Sequence, residues 1–151
     1  MKQCSVVTQF GTLTLTEETG AITRLSWGHV DAGATSDLLD RAADQLRAFD
    51  AGRLTQFDVP LQVAGSDVLR AVCAEISAIP FGETCTYGDI AKKLGIPAQV
   101  VWQACGQNPI PVIIPCHRVM GAKGLTGYSG AGGIETKIAL LRHEGAAGLL
   151  I

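Results

Sequence analysis

The sequence predicts an α+β protein: a small N-terminal antiparallel sheet with one helix, then a helical domain with a winged helix-turn-helix and a C-terminal strand or loop that carries a cysteine. Three observations point there. Residues 6–28 alternate Thr, Val, Leu and Ile around Glu18-Thr19-Gly20, and residues 36–52 and 66–82 repeat apolar side chains at helical spacing behind serine caps. Residues 86–109 read as two short helices joined by a glycine turn.

In VVTQFGTLTLTEETGAITRLSWG (6–28) two alternating segments meet at Glu18-Thr19-Gly20. Successive strand residues face opposite sides and the glycine permits a tight reversal, so the stretch reads as a hairpin. After HVDAGATS, the segment SDLLDRAADQLRAFDAG (36–52) offers Ser36 or Asp37 as N-cap, Leu38, Leu39, Ala42, Ala43, Leu46 and Phe49 as the apolar stripe, and Gly52 as the stop. RLTQFDVPLQVAGS (53–66), with Pro60 and Gly65, reads as an extended linker and divides the chain into an N-terminal support domain, 1–63, and a second domain, 64–151.

The second domain begins with SDVLRAVCAEISAIPFG (66–82): Ser66 as cap, Val68, Leu69, Val72, Cys73 and Ile76 as the stripe, Pro80 and Gly82 as the stop. TYGDIAKKLGI (86–96) is capped by Thr86, helical to Leu94 and turned at Gly95. PAQVVWQACGQNP (97–109) opens with Pro97 in its first turn and ends at Asn108-Pro109. Helix, glycine turn and helix form a unit that binds DNA in some proteins and merely packs in others.

Composition narrows the classes. At 151 residues and 47% hydrophobic, the chain can bury a real core, which excludes disorder. No uninterrupted apolar run is long enough to span a membrane, and MKQCSVVTQFGT is too polar for a signal peptide, so a soluble, cytoplasmic protein is expected. Five scattered cysteines without a CxxC pair suit free thiols in a reducing compartment better than a disulfide framework or a zinc site. The net charge of -2 hides an asymmetry: residues 1–63 carry five bases against eight acids, residues 64–151 seven bases against six. That difference fits a solvated surface as well as a DNA-binding face.

Within IPVIIPCHRVMG (110–121) an apolar run leads directly into Cys116, His117 and Arg118. The simplest reading of Cys116 is a small buried hydrophobe. An imidazole and a guanidinium beside it are costly in a core unless they serve something, and a thiol reacts as its thiolate, which a nearby histidine oriented by a carboxylate can generate. Adjacent strand residues point to opposite faces, so a bridging water or a turn must carry the proton from Cys116 to His117; Glu144 in LLRHEGA is a candidate carboxylate.

PCHRV (115–119), preceded by NPIPVII (108–114) and followed by GYSGAGG (127–133) and LLRHEG (140–145), resembles the O6-alkylguanine-DNA alkyltransferases, also called methylated-DNA-protein-cysteine methyltransferases. The resemblance continues through FGETCTYGDIAKKLG (81–95) and, as patterning only, through QLRAFDAGRLTQFDVPL (45–61) and GTLTLTEETGAITRLSWG (11–28). It implies that Cys116 accepts an alkyl group from guanine O6 irreversibly, so that each molecule acts once. It also implies that the target nucleotide is flipped out of the duplex, and that a helix-turn-helix docks in the minor groove. His117 would be the base, Glu144 its partner, and Tyr87 a proton donor towards N3 of the leaving guanine; Asn108 would cap and hinge the turn before the acceptor. Thr86, Ala98, Gln99, Trp102, Arg118 and Val119 would contact DNA or substrate, with Ser129 and Gly130 in a loop over the pocket that Gly127, Gly132 and Gly133 let close in. No metal and no cofactor is implied, the partner is double-stranded DNA, no membrane is involved, and a monomer is expected.

Two positions depart from the family. Where it usually has an arginine that enters the base stack in place of the flipped nucleotide, alignment on Asn108-Pro109 puts Gln99, and where it has a small glycine this chain has Trp102. Gln99 is shorter, uncharged and a poorer stacking partner. Trp102 is either core packing or a substitute wedge. Three readings stand: a single-use DNA repair alkyltransferase, an alkylated-base recognition protein with little repair, and a thiol enzyme acting on something other than DNA.

Overall fold

The computed structural model describes residues 2–31, 33–122 and 133–146. The chain divides into two compact units, Met1–Ala64 and Gly65–Ile151.

The first unit is an antiparallel sheet with one helix: β1 (Lys2–Thr8), β2 (Gly11–Glu18), β3 (Ala21–Trp27) and α1 (Asp37–Asp50), with β2 central. The sequence pattern accounts for a hairpin, and the structure adds a strand. The first alternating segment turns back on itself at Gln9-Phe10, pairing Thr8 with Gly11, and Gly11 has a φ of 113° that a side chain would resist. Leu13 and Leu15 on β2 lie buried with Val6 of β1, and α1 packs on these two strands through Leu39, Ala42, Ala43, Leu46 and Phe49. Phe49 meets Phe10 and Phe57 with ring centroids 6.3 and 5.4 Å away. Burying such side chains contributes on the order of 1.5–3 kcal/mol each, which is what holds a helix of this length in place. Ser36 is the N-cap: its Oγ accepts from Leu39 N–H at 3.1 Å, and its hydroxyl donates to the buried carboxylate of Glu17 on β2. The presumed linker is docked, since Ile22 N–H donates to Pro60 O at 2.9 Å and Gln62 N–H to Ile22 O at 3.0 Å.

The second unit runs α2 (Asp67–Ser77), β4 (Cys85–Thr86), α3 (Tyr87–Leu94), α4 (Ala98–Gly106), a 3₁₀ turn (Cys116–Arg118), β5 (Val119–Met120) and α5 (Ile134–Glu144). Ser66 caps α2 through Leu69 N–H. Thr86 and Asp89 form a reciprocal capping box on α3, each accepting the other's backbone N–H at 3.0 Å, and this holds the Asp89 carboxyl below its ordinary range. Gly95 ends α3 at a φ of 68°. Pro97 is the N-cap of α4 rather than a first-turn residue: it is extended, and its carbonyl accepts from Val100 and Val101. The core gathers Leu69, Val72 and Ile76 of α2, Ile90 of α3, Val101 and Ala104 of α4, Ile110 and Ile114 of the following loop, and Leu140 and Leu141 of α5.

The described residues contain no antiparallel wing beside α3 and α4. The strand pair there is parallel, Cys85 opposite Val119 and Thr86 opposite Met120. Among the described residues no helix is long and apolar enough to cross a membrane.

Candidate active site

The expected active-site strand is a tight turn. Pro115 has a φ of -82° and a ψ of 65°, Cys116 N–H donates to Ile114 O at 2.8 Å and Arg118 N–H to Pro115 O at 2.9 Å, so Cys116, His117 and Arg118 wind into one 3₁₀ turn. Three residues per turn send these side chains in three directions. All three are buried, Cys116 at 4% exposure, His117 at 0% and Arg118 at 6%.

The loop before the turn is braced and strained. Asn108 is buried and spans it, its Nδ2 donating to Ile114 O at 2.9 Å and its Oδ1 accepting from Ile110 N–H at 3.0 Å. Within that span Val112 has a φ of 73°. A β-branched residue in the left-handed region costs about 1–3 kcal/mol and persists only where its surroundings hold it; here the side chain is sealed in the core.

Glu144, the last residue of α5, closes the site. Its Oε2 lies 2.8 Å from His117 Nε2, while Arg118 donates from Nε to Oε1 and from Nη2 to Oε2, both at 2.8 Å. Burial pushes the Glu144 carboxyl up, but the hydrogen bonds and charges of His117 and Arg118 outweigh it and hold the pKa at about 2. An ionised carboxylate only accepts, so His117 Nε2 carries the hydrogen and Nδ1 of the neutral ring is left basic. Burial lowers the pKa of His117, Glu144 opposes that, and the Arg118 and Lys137 charges reinforce it; the ring is neutral at neutral pH. Nδ1 is buried with no hydrogen-bond partner among the described residues.

Arg118, expected at the DNA, has another position. Its guanidinium is inside, forked onto Glu144, with Nη1 donating to Ile79 O at 2.7 Å and the Phe81 ring centroid 5.8 Å away. Val119 is also fully buried, and its carbonyl accepts from Lys137 Nζ at 2.7 Å. Lys137 is the residue that the sequence reading missed. It is 0% exposed, burial lowers its pKa, and the thiols of Cys116 and Cys105 pull the other way. A signal existed: residues 137, 140, 141 and 144 form one buried face of α5, which places a lysine two helical turns from Glu144 in an otherwise apolar stripe.

The remaining expected residues fall in three places. Tyr87 opens α3 directly after β4, and because β4 pairs with β5 it stands next to the segment leaving the Cys116 turn. Thr86 and Ala98 begin α3 and α4, and Gln99 and Trp102 lie on the exposed side of α4. Ser129 and Gly130, with Gly127 and Gly132, lie outside the described residues.

Burial holds the other four thiols towards their protonated form. Burial first, then the neighbouring Cys116, pushes Cys73 up to about 11 and Cys105 up to about 12, and burial also raises Cys4 and Cys85. A cleft of about 260 Å³ lined by Glu75, Ile79, Cys85, Asp89 and Lys93 contains none of the expected site residues. Among the described residues no group of three or more His, Cys, Asp or Glu could hold a metal ion.

Comparison with known proteins bears on this arrangement. Residues 67–146 match the family model described as 6-O-methylguanine DNA methyltransferase, DNA binding domain. The chain is 47% identical over 135 residues to the methylated-DNA--protein-cysteine methyltransferase of Mycobacterium tuberculosis, covering 87% of this chain and 78% of that one. It is 47% identical over 108 residues to the protein of that name from Methanosarcina acetivorans, covering 70% and 68%. Among solved structures, Mycobacterium tuberculosis OGT in complex with DNA superposes with a TM-score of 0.85 at 41% identity, over 96% of this chain and 93% of that one.

Proposed function

The chain belongs to the 6-O-methylguanine DNA methyltransferase family, and from that premise we propose that it repairs alkylated DNA by moving the alkyl group from guanine O6 onto its own Cys116, once per molecule. The observation that supports this best is the buried Glu144–His117 pair, in which His117 shares a turn with Cys116 and Glu144 reaches it from α5, polarising the ring so that its free imidazole nitrogen is a base.

In this reading His117 Nδ1 takes the Cys116 proton through a water, and Glu144 steadies the imidazolium that forms. Lys137 places a second positive charge near the sulfur. The thiolate attacks the alkyl carbon; the carbon–sulfur bond forms as the carbon–oxygen bond breaks, and the electron pair passes to guanine, which Tyr87 protonates at N3. Guanine O6 is out of reach inside a stacked duplex, so the nucleotide is turned out into the site. The α3–α4 pair docks in the minor groove, with the backbone N–H groups at the uncapped start of α4, beside Ala98, meeting a phosphate and Thr86 at the start of α3 lying against the DNA backbone. Asn108 positions the acceptor by holding its loop. Arg118 acts through Glu144, and Ser129 and Gly130 are assigned to the base by the family resemblance. Every group named comes from one chain, so a monomer suffices, and the transfer uses no metal or cofactor.

Incubation with duplex containing O6-methylguanine tests this. The intact mass should rise by one methyl, on the peptide that contains Cys116, and Cys116→Ser should abolish transfer while leaving DNA binding in place. A methyl on Cys73, Cys85 or Cys105, or none with excess DNA, overturns the assignment.

A further inference from the structure

Turning a nucleotide out of a duplex leaves a gap in the stack, and the protein needs a side chain to fill it. On α4 the buried side is Val101, Ala104 and Cys105. The opposite side presents Ala98, Gln99, Trp102, Gln103 and Gly106, with no charged residue anywhere on the helix. Trp102 is 51% exposed, which removes the core-packing reading. The positions one helical turn to either side of it are small. One turn before it is Ala98 and one turn after it is Gly106, where a Cβ would meet nothing within 4 Å. A half-exposed indole flanked by the two smallest side chains is the tallest feature of this helix face.

The geometry points to Trp102, not Gln99, as the side chain that enters the base stack, which makes it a specificity-determining residue for duplex DNA; this rests on the repair reading above. An indole offers a flat apolar surface that stacks on any base, whereas a glutamine offers a short amide that prefers water. The uncharged helix face fits the same role, because a wedge works by area and needs no phosphate beneath it. Duplex recognition therefore depends less on salt at this helix than it would with a cationic finger.

Fluorescence can follow Trp102, since the only other tryptophan, Trp27, sits in the first unit with Nε1 donating to Phe10 O at 3.1 Å. In a Cys116→Ser background, the difference in emission with and without Trp102→Phe isolates the Trp102 signal. Saturating duplex with O6-methylguanine should quench that signal by half or more and abolish its quenching by acrylamide. With Cys116 intact, Trp102→Ala should lower transfer from duplex at least tenfold more than transfer from free O6-benzylguanine, which needs no gap filled. Trp102→Phe should recover most of the loss, and Gln99→Ala should cost several-fold less than Trp102→Ala. Unchanged Trp102 emission and acrylamide access at saturation, or equal losses on both substrates, overturn the inference. Failure of the repair reading is a separate result, the absence of any alkyl group on Cys116 of the unmodified protein.

Discussion

Each unit of this protein buries one glutamate, and the two are used differently. Glu17, on β2, accepts from the Ser36 hydroxyl and has the Lys2 ammonium 3.8 Å away, itself half exposed. Glu144 accepts from Arg118 twice and from His117, all at 2.8 Å and all inside. The first carboxylate ties the cap of a helix to a sheet. The second fixes which nitrogen of an imidazole carries a proton. Burial of an acid therefore does not by itself mark a reactive centre; the distinction lies in what its partners do next. Ser36 goes on to hold Leu39 N–H, and His117 sits on the turn that carries Cys116.

The contrast can be broken most directly by acid. The Glu144 pKa of about 2 lies below the free-carboxyl value of 4.5, so the folded state binds its proton less readily than the unfolded chain. Its contribution, on the order of 3 kcal/mol, is complete above pH 4.5 and is lost as pH falls towards 2. The lowered pKa of His117 has the same sign, with stability present above 6.5 and lost below it. Urea midpoints measured across this range should fall steeply for the unmodified protein, and Glu144→Gln should remove the part between 4.5 and 2. If the slope survives in the variant, Glu144 is not the group responsible.

The next effect is kinetic. His117→Ala should slow alkyl transfer about 100-fold at neutral pH, within the usual range for a lost general base, and part of the loss should return at alkaline pH as solvent generates the thiolate. An unchanged neutral-pH rate with saturating free O6-benzylguanine would remove the imidazole from the chemistry. The smallest effect belongs to the other glutamate. Glu17→Gln should cost about 1 kcal/mol, one hydrogen bond to a charged acceptor exchanged for a neutral one, with alkyl transfer untouched. A lower transfer rate in a fully folded Glu17→Gln protein would mean that the two acids are less different than their partners suggest.

Local signals were readable in the sequence. Ser36, Ser66 and Thr86 cap the helices they precede, because a capping hydroxyl and its N–H partner lie within three residues of each other. The candidate acceptor, histidine and glutamate were legible first from side-chain chemistry, a thiol beside an imidazole with a carboxylate to orient it, and the roles assigned to them came from the resemblance carried by PCHRV and LLRHEG. What was not legible came from distance or from backbone shape. Arg118 reads as an exposed cation until Glu144, 26 residues on, and Ile79, 39 residues back, are brought to it. Lys137 finds its acceptor 18 residues away. The apolar run before Cys116 suggests a strand, and only Pro115 and the left-handed Val112 bend it into a turn. The exposure of Trp102 could not be read either, since the same letter serves core and surface.

Val112 bears on what would have to move if the acceptor were grafted onto another scaffold. Its backbone adopts a shape that valine resists, at a φ of 73°, and Asn108 bridges across it to Ile114. PCHRV transplanted by itself would relax to an extended segment, with cysteine and histidine on opposite faces. The portable unit is longer: residues 108–119 as one preloaded clip, together with a helix that presents lysine and glutamate seven positions apart. A designer who copied the five letters would keep the thiol proposed as acceptor and lose the buried Glu144–His117 pair proposed to activate it.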